Sequence, residues 1–368
     1  MRSSWLGALA LAAAALVWAC GDDGPLRAPQ SDTEFDDPCD PGSGDQTGNV
    51  LPVLDAGAML IPLPAGSPGI GFEDLTFSAT LGRLVVPAGR SGDLDLMDPS
   101  TEIVSSVGGF STAQAYDGKS DVGLVSADEG NGTIYAVDVT ASMLDVVDGQ
   151  KLALASSVAL AAAPGFVRYV AATNEVWVTE PAMQQIEVFT VTTDDTKAPV
   201  HAAVIPIPGG PESLAVDDTL GRVLTNATTA TYSIDPKTHT VASMWPNGCA
   251  MSKGLAVDEG HAWVIVGCQE GILVVLDEKN GGATAGSVML GAAGVDQITY
   301  DPTKMRVYAP TPASASLTVV QLSTQGPGTV LGAIGTSTDA HCAVTEGGGS
   351  VFVCAPSQGG LLFMRDPF

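Results

Sequence analysis

The chain has 368 residues, of which 15 are basic and 41 acidic, giving a formal charge of −26 at pH 7. A surface this acidic, with no compensating basic cluster, repels nucleic acid and anionic lipid and excludes a nucleic-acid-binding role. Solvation is a sufficient reason for the charge, and a cationic partner is the sharper one.

The first twenty residues, MRSSWLGALALAAAALVWAC, carry one basic residue, Arg2, then an apolar run that ends in small residues and Cys20. That run is too short and too poorly flanked to span a bilayer, so residues 1–19 read as a secretory signal. Its end, LVWAC, resembles the lipobox of bacterial lipoproteins, in which the cysteine becomes the lipidated first residue of the mature chain. Trp18 departs from the small residues usual there, and an ordinary secreted protein cut nearby is the alternative. The resemblance implies an exported domain at the bacterial cell envelope, attached to the membrane through lipid at Cys20 alone. Residues 20–50 follow as a tether rich in Asp, Gly, Pro and Ser, with too little apolar surface to offset the entropy of ordering. Its carboxylates lack the regular loop of an EF-hand.

From residue 51 onward the chain repeats. FEDLTFSATLGRLVV from Phe72 aligns with PESLAVDDTLGRVLT from Pro211 through a shared Thr-Leu-Gly-Arg turn. KGLAVDEGHAWVIV from Lys253, DQITYDPTKMRVYA from Asp296 and HCAVTEGGGSVFVC from His341 repeat the unit, and TAQAYDGKSDVGLVS from Thr112 and VRYVAATNEVWVT from Val167 are divergent copies. Each unit continues into a third apolar run, as in GDLDLMD, GTIYAVD, TATYSID and ILVVLD, and then a weaker fourth such as HTVASMWP or GSVMLG. Short runs of Val, Ile, Leu and Thr between Gly, Asp, Asn and Pro are strands and tight turns. Four strands per repeat at a period of forty-odd residues predict an all-β, seven-bladed β-propeller over residues 51–368, with six or eight blades as the alternatives. The last unit supplies only three strands, so an N-terminal strand within AMLIPLP is expected to complete it and hide the open edges.

The repeat register places Cys249 just before the innermost strand of its blade and Cys268 at the end of the next; Cys342 and Cys354 hold nearly the same places in the last blade. Two equivalent pairs in an exported chain read as two disulfides, Cys249–Cys268 and Cys342–Cys354. No Cys-x-x-Cys favours a metal, and Cys39 is left over.

The segments GPESLAVD, GLAVDEGHAWVIVGCQEGILVVLD, AHCAVTEGGGSVFVCAP and VRYVAATNEVWVTEP resemble the YVTN-type β-propellers, a group that includes many bacterial lipoproteins. The resemblance implies the fold and leaves the activity open, since one architecture hosts enzymes and binding scaffolds alike. In the repeat register, the residues leading into the innermost strands are Glu73, Thr112, Val167 or its neighbour Arg168, Glu212, Lys253, Asp296 and His341, and they are expected to ring one mouth of the central channel. Propeller lactonases hold a divalent cation at such a mouth with Glu, Asp and Asn. That resemblance implies a Ca-like cation on Glu73, Glu212, Asp296 and His341, which would polarise a carbonyl and activate a water. The ring, however, has no Asn, and Lys253 opposes a cation. The loops ADEGNG at 127–132 and PTPASAS at 310–316 are expected to crowd the same mouth. Trp177 and Trp263 are expected between blades, and His261 in a hairpin turn. No nucleophile elbow, zinc motif, haem motif or phosphate loop occurs. The expectation is a monomeric, non-catalytic binding scaffold for a protein or small-molecule ligand of the envelope, with a metal-dependent hydrolase as the alternative.

Overall fold

The computed structural model describes residues 53–55, 57–192, 194 and 197–368. The signal segment, Cys20, the tether and Cys39 lie outside them. Seven antiparallel sheets follow one another along the chain. From innermost to outermost strand, blade 1 comprises Thr76–Ser78, Arg83–Pro87, Asp93–Met97 and Val104–Gly108; blade 2, Leu124–Gly130, Thr133–Asp138, Met143–Asp148 and Ala153–Ala159. Blade 3 comprises Val167–Val170, Glu175–Glu180, Gln185–Thr190 and Val200–Pro206; blade 4, Ala215–Asp217, Arg222–Ala227, Ala230–Asp235 and Thr240–Pro246. Blade 5 comprises Ser252–Asp258, Trp263–Cys268, Ile272–Asp277 and Ala283–Met289; blade 6, Thr299–Asp301, Arg306–Thr311, Ser316–Ser323 and Gly326–Gly335.

Blade 7 has only Ala343–Gly347, Ser350–Ala355 and Gly360–Arg365 from the C-terminal end; its outer strand is Met59–Pro62, with Met59 opposite Phe363 and Pro62 opposite Gly360. This is the closure the incomplete last repeat predicts. A two-residue strand, Val53–Leu54, adds in parallel to the outer edge of blade 6. The end of the chain is also fixed. Asp366, whose side chain is fully buried, accepts hydrogen bonds from Arg306 and Tyr308 of blade 6.

The second strands show why the repeats read as unbroken apolar runs. All six residues of Glu175–Glu180, Trp263–Cys268 and Ser350–Ala355 are buried, because each sheet is covered on both faces by its neighbours. Outer strands such as Thr240–Pro246 are mostly exposed. The core accordingly divides into seven clusters, one at each blade interface. Phe72, Leu84 and Met97 meet Phe352 and Leu361 between blades 1 and 7. Trp177 and Ile186 meet Val223 and Tyr232 between blades 3 and 4, and Trp263 meets Val307 between blades 5 and 6.

Blade 2 differs from the sequence expectation by one strand. Residues 109–123 form no strand, the innermost strand is Leu124–Gly130, and GTIYAVD supplies the second strand rather than the third. The cause is that this inner strand faces the channel and carries Asp128 and Glu129, so it imitates a polar loop. ADEGNG is therefore a first-to-second hairpin, at the end of the channel opposite that expected, whereas 310–316 is a second-to-third connection as expected. Residues 109–123 instead cross blade 1, and the crossing is tight. A Cβ on Gly123 (φ 75°) would lie 2.1 Å from the Gly89 carbonyl, and one on Gly89 (φ 45°) would lie 2.3 Å from that of Gly71, so only glycine fits this stack.

Both expected disulfides are present, Cys249–Cys268 and Cys342–Cys354, each joining the first two strands of its blade at the mouth end. Such bonds persist in oxidising compartments, which places the domain outside the cytoplasm. Among the described residues no helix is long and apolar enough to cross a membrane.

Candidate channel-mouth binding site

The innermost strands start at one end of the channel, and their pairing fixes which side chains stand there. Ser78, Asp217, Asp258 and Asp301 hold the same place, each paired with the first residue of the second strand. Counting five residues back from each gives Glu73, Glu212, Lys253 and Asp296, and His341 joins them from blade 7. The same count from Val170 and Gly130 gives Gly165 and Val125 in blades 3 and 2. The charged residues thus occupy five consecutive blades, 4 to 7 and then 1, and leave an arc with no charge. All five are partly buried.

Two sequence expectations are corrected here. Thr112 is exposed, lying over Gly92 in the segment that crosses blade 1, because that segment is not a strand. Arg168 lies inside the channel, three residues further along its strand than the mouth position, while Val167 is buried in the core between blades 2 and 3. Its guanidinium reaches past blade 2 to Asp74 of blade 1, 2.6 Å away. Asp74 also accepts from Ser126 at 2.8 Å, and Asp128 accepts the backbone N–H of Tyr169 at 2.8 Å. Burial pushes Asp128 up to about 6, against the pull of Arg168.

The two cations of the mouth are already engaged. Lys253 donates to Glu212 at 2.9 Å. Burial works against its charge, but this hydrogen bond and the surrounding carboxylates hold its pKa above the ordinary value. His341 has Nδ1 2.8 Å from the Asp339 carbonyl and Nε2 2.8 Å from the Phe72 carbonyl. A carbonyl only accepts, so both ring nitrogens must carry protons and the ring is an imidazolium. Its pKa is raised accordingly, since Asp296 and the two carbonyls outweigh the cost of burial.

Glu73 and Asp296 are in the opposite condition. Among the described residues neither accepts a hydrogen bond nor comes within ion-pair distance of a cation. Burial first, then repulsion from Asp296, pushes Glu73 up to about 7. Burial raises Asp296 as well, although His341 and Lys253 pull it down.

Directly below this ring, along the same strands, is a cavity of about 310 Å³. Its polar lining includes Asp74, Thr76, Arg168, Ser213, Gln297 and Thr299. Ser213 is 2% exposed, yet its hydroxyl has no hydrogen-bond partner. Sequence reasoning missed Asp74, Ser213 and Gln297. Their signal is the polar doublet each makes with a mouth residue, in Glu73-Asp74, Glu212-Ser213 and Asp296-Gln297.

The four residues expected to hold a divalent cation do not form one ligand sphere. Among the described residues, the groups of three or more Asp, Glu, His and Cys with ligand atoms all within 4.8 Å of one another are His341–Cys342–Cys354 and Cys249–Cys268–Glu270. Their sulfurs are spent in disulfides. Glu212 is held by Lys253, and His341 has no lone pair to offer because both nitrogens donate.

A closed ring of seven antiparallel blades, six of four strands and one with a short fifth, around a polar central mouth defines the β-propeller class. No protein-family model matches the chain, and no curated protein matches it. Solved structures do. A chain of hydrazine synthase from Kuenenia stuttgartiensis superposes with a TM-score of 0.67 at 13% identity, covering 82% of this chain and 96% of that one. A chain of the mitotic checkpoint complex gives 0.69 at 14% identity, covering 85% and 96%. The Cps50 (Swd1) β-propeller domain of Myceliophteria thermophila gives 0.68 at 12% identity, covering 84% and 99%. At such identities the likeness is one of fold alone.

Proposed function

We propose that this chain is a lipid-anchored propeller of the bacterial cell envelope that works by binding, and that its contact site is the polar mouth of the channel. The observation that carries the reading is the state of the five mouth side chains. Lys253 and His341 are fixed by partners within the protein, two carboxylates are left without donors, and no activated nucleophile or joint metal sphere is assembled. Such a site is suited to recognising a ligand through its open carboxyls. The lipobox resemblance and the YVTN-type repeats support the envelope address, and the disulfides support an oxidising compartment.

The test is site-specific photocrosslinking in the native envelope. A benzophenone side chain replaces Gln269, in the exposed second-to-third turn of blade 5 at the mouth, or Asp218, in the exposed first-to-second turn of blade 4 at the far end. Adducts from position 269 and not from 218 are expected. Adducts confined to 218, or absent from both, overturn the mouth as the contact site.

A further inference from the structure

We propose that the channel mouth accepts an organic monocation, a guanidinium or alkylammonium group, held by Glu73 and Asp296 with Gln297 beneath it. The inference rests on reading the mouth as a binding site and goes on to name what it binds.

The charge inventory comes first. Three carboxylates face two cations, so the ring has an acid in excess. Both cations are also committed, Lys253 to Glu212 at 2.9 Å and His341 to two backbone carbonyls at 2.8 Å each. Glu73 and Asp296 are therefore partly buried carboxyls without a donor, both pushed by burial toward the protonated form, and a ligand that supplies N–H groups would restore their charge. An anionic ligand would deepen the conflict, and a cation resolves it.

A second observation points independently to a ligand. Ser213, directly after Glu212, is 2% exposed and lines the cavity beneath the ring with its hydroxyl unpartnered. Gln297, directly after Asp296, is 8% exposed on the same cavity, and no hydrogen bond engages its side-chain amide. Gln297 offers an acceptor oxygen to the cavity, whereas the Ser213 hydroxyl is shielded from it and opens only if its rotamer turns. Buried polar groups in folded proteins are nearly always paired, so acceptors left open along a cavity mark where donors arrive.

The spacing decides between kinds of cation. A divalent metal needs several oxygens on one small sphere, and no three acidic ligand atoms of this ring lie within 4.8 Å of one another. A guanidinium spreads five N–H donors over a planar fork, and an ammonium directs three, so either can bridge acceptors that a metal cannot gather. The cavity, about 310 Å³, is at the small end of ligand sites, and Leu214, Leu255 and Ile298 on its wall suit a short aliphatic stem.

The experiment is calorimetric titration of the intact, disulfide-bonded chain with methylguanidinium and n-butylammonium chloride, alongside sodium acetate and calcium chloride. The expected result is saturable binding of the organic cations only. Glu73→Gln and Asp296→Asn each weaken it about tenfold, the scale of one charge-assisted contact at a partly open site. Lys253→Met tightens it, a change of sign that damage to the fold would not produce, and near-ultraviolet circular dichroism confirms that each variant is folded. A capped arginine tripeptide identifies the source. Tighter binding than methylguanidinium points to a side chain on a protein partner, weaker binding to a free small molecule, and both support the inference. Saturable binding of acetate or calcium alone, lost in the same variants, overturns the organic monocation while leaving the mouth as the binding site. Binding by none of the four probes, together with no crosslink from position 269, overturns both.

Discussion

Asp95 offers a test of how this fold tolerates charge in its interior. It lies on the third strand of blade 1, opposite Val86 on one side and Ser106 on the other, and it is fully buried. Ser106 donates to one carboxyl oxygen, and the other has no partner. Burial pushes its pKa up to about 7, from an ordinary 3.8, against the pull of Ser106. Because the folded value lies above the unfolded one, the folded chain holds a proton that the unfolded chain gives up between these two pH values. The contribution is fully present below the unfolded pKa and is lost as pH rises to the folded one. A shift of this size corresponds to about 4 kcal/mol lost between pH 4 and pH 8. Asp95→Asn removes the titration while keeping the shape. Urea unfolding of wild type and variant at pH 4 and pH 8 separates this residue from the others, because carboxylates common to both chains cancel. The variant is expected to be no more stable than wild type at pH 4 and more stable at pH 8. If the difference between the two chains is the same at both pH values, Asp95 is not the buried, protonated acid described above.

Asp366 should behave with the opposite sign. Burial opposes its charge, but the hydrogen bond from Arg306 holds its pKa below the ordinary value, so its contribution is present at neutral pH and lost on acidification. Asp366→Ala, which leaves Arg306 without its carboxylate and bonded only to Gln321, is expected to cost about 3–5 kcal/mol at pH 7 in the same unfolding assay. Replacing Cys249 and Cys268 together by Ser should lower stability by about 3 kcal/mol, since their bond closes a loop with a sequence separation of 19. Trp177→Ala, at a side chain fully buried between blades 3 and 4, should cost about 3–5 kcal/mol by chemical denaturation. If Cys20 is the lipidated residue, labelled palmitate will enter the wild-type chain and not Cys20→Ala; equal labelling would remove that site.

The fold was legible because the blades repeat the same burial problem. A second strand covered on both sides is largely apolar, as in Trp263–Cys268, and the Thr-Leu-Gly-Arg turn recurs where the same hairpin closes in blades 1 and 4. The cysteine pairs followed from the same register. Blade 2 is misread where polar side chains tie an inner strand to its neighbours, since Asp128, which accepts from the Tyr169 backbone N–H, and Glu129, which accepts from Ser78, disguise the end of Leu124–Gly130 as a loop. The error carried into the site. Thr112 was placed at the mouth through that false strand, and Arg168 through a count that missed the start of the blade 3 register. Glu73, Glu212, Lys253, Asp296 and His341 were found because they repeat. Their chemistry was not legible, because whether His341 can offer a lone pair depends on two carbonyls from distant parts of the chain, those of Asp339 and Phe72.

The outer strand of the last blade, Met59–Pro62, is separated from its partner Gly360–Arg365 by nearly the whole length of the domain. Strand pairing over such a separation forms late, because the loop it closes must be ordered first. During synthesis this early strand must wait for the last. A chain that is truncated, or stalled in transit, exposes an unpaired edge at each end and cannot become a ring. Both disulfides belong to the late-emerging blades 5 and 7, so oxidative locking also comes near the end of passage. The topology thereby works as a proofreading step on completeness, in which only the full-length product can close.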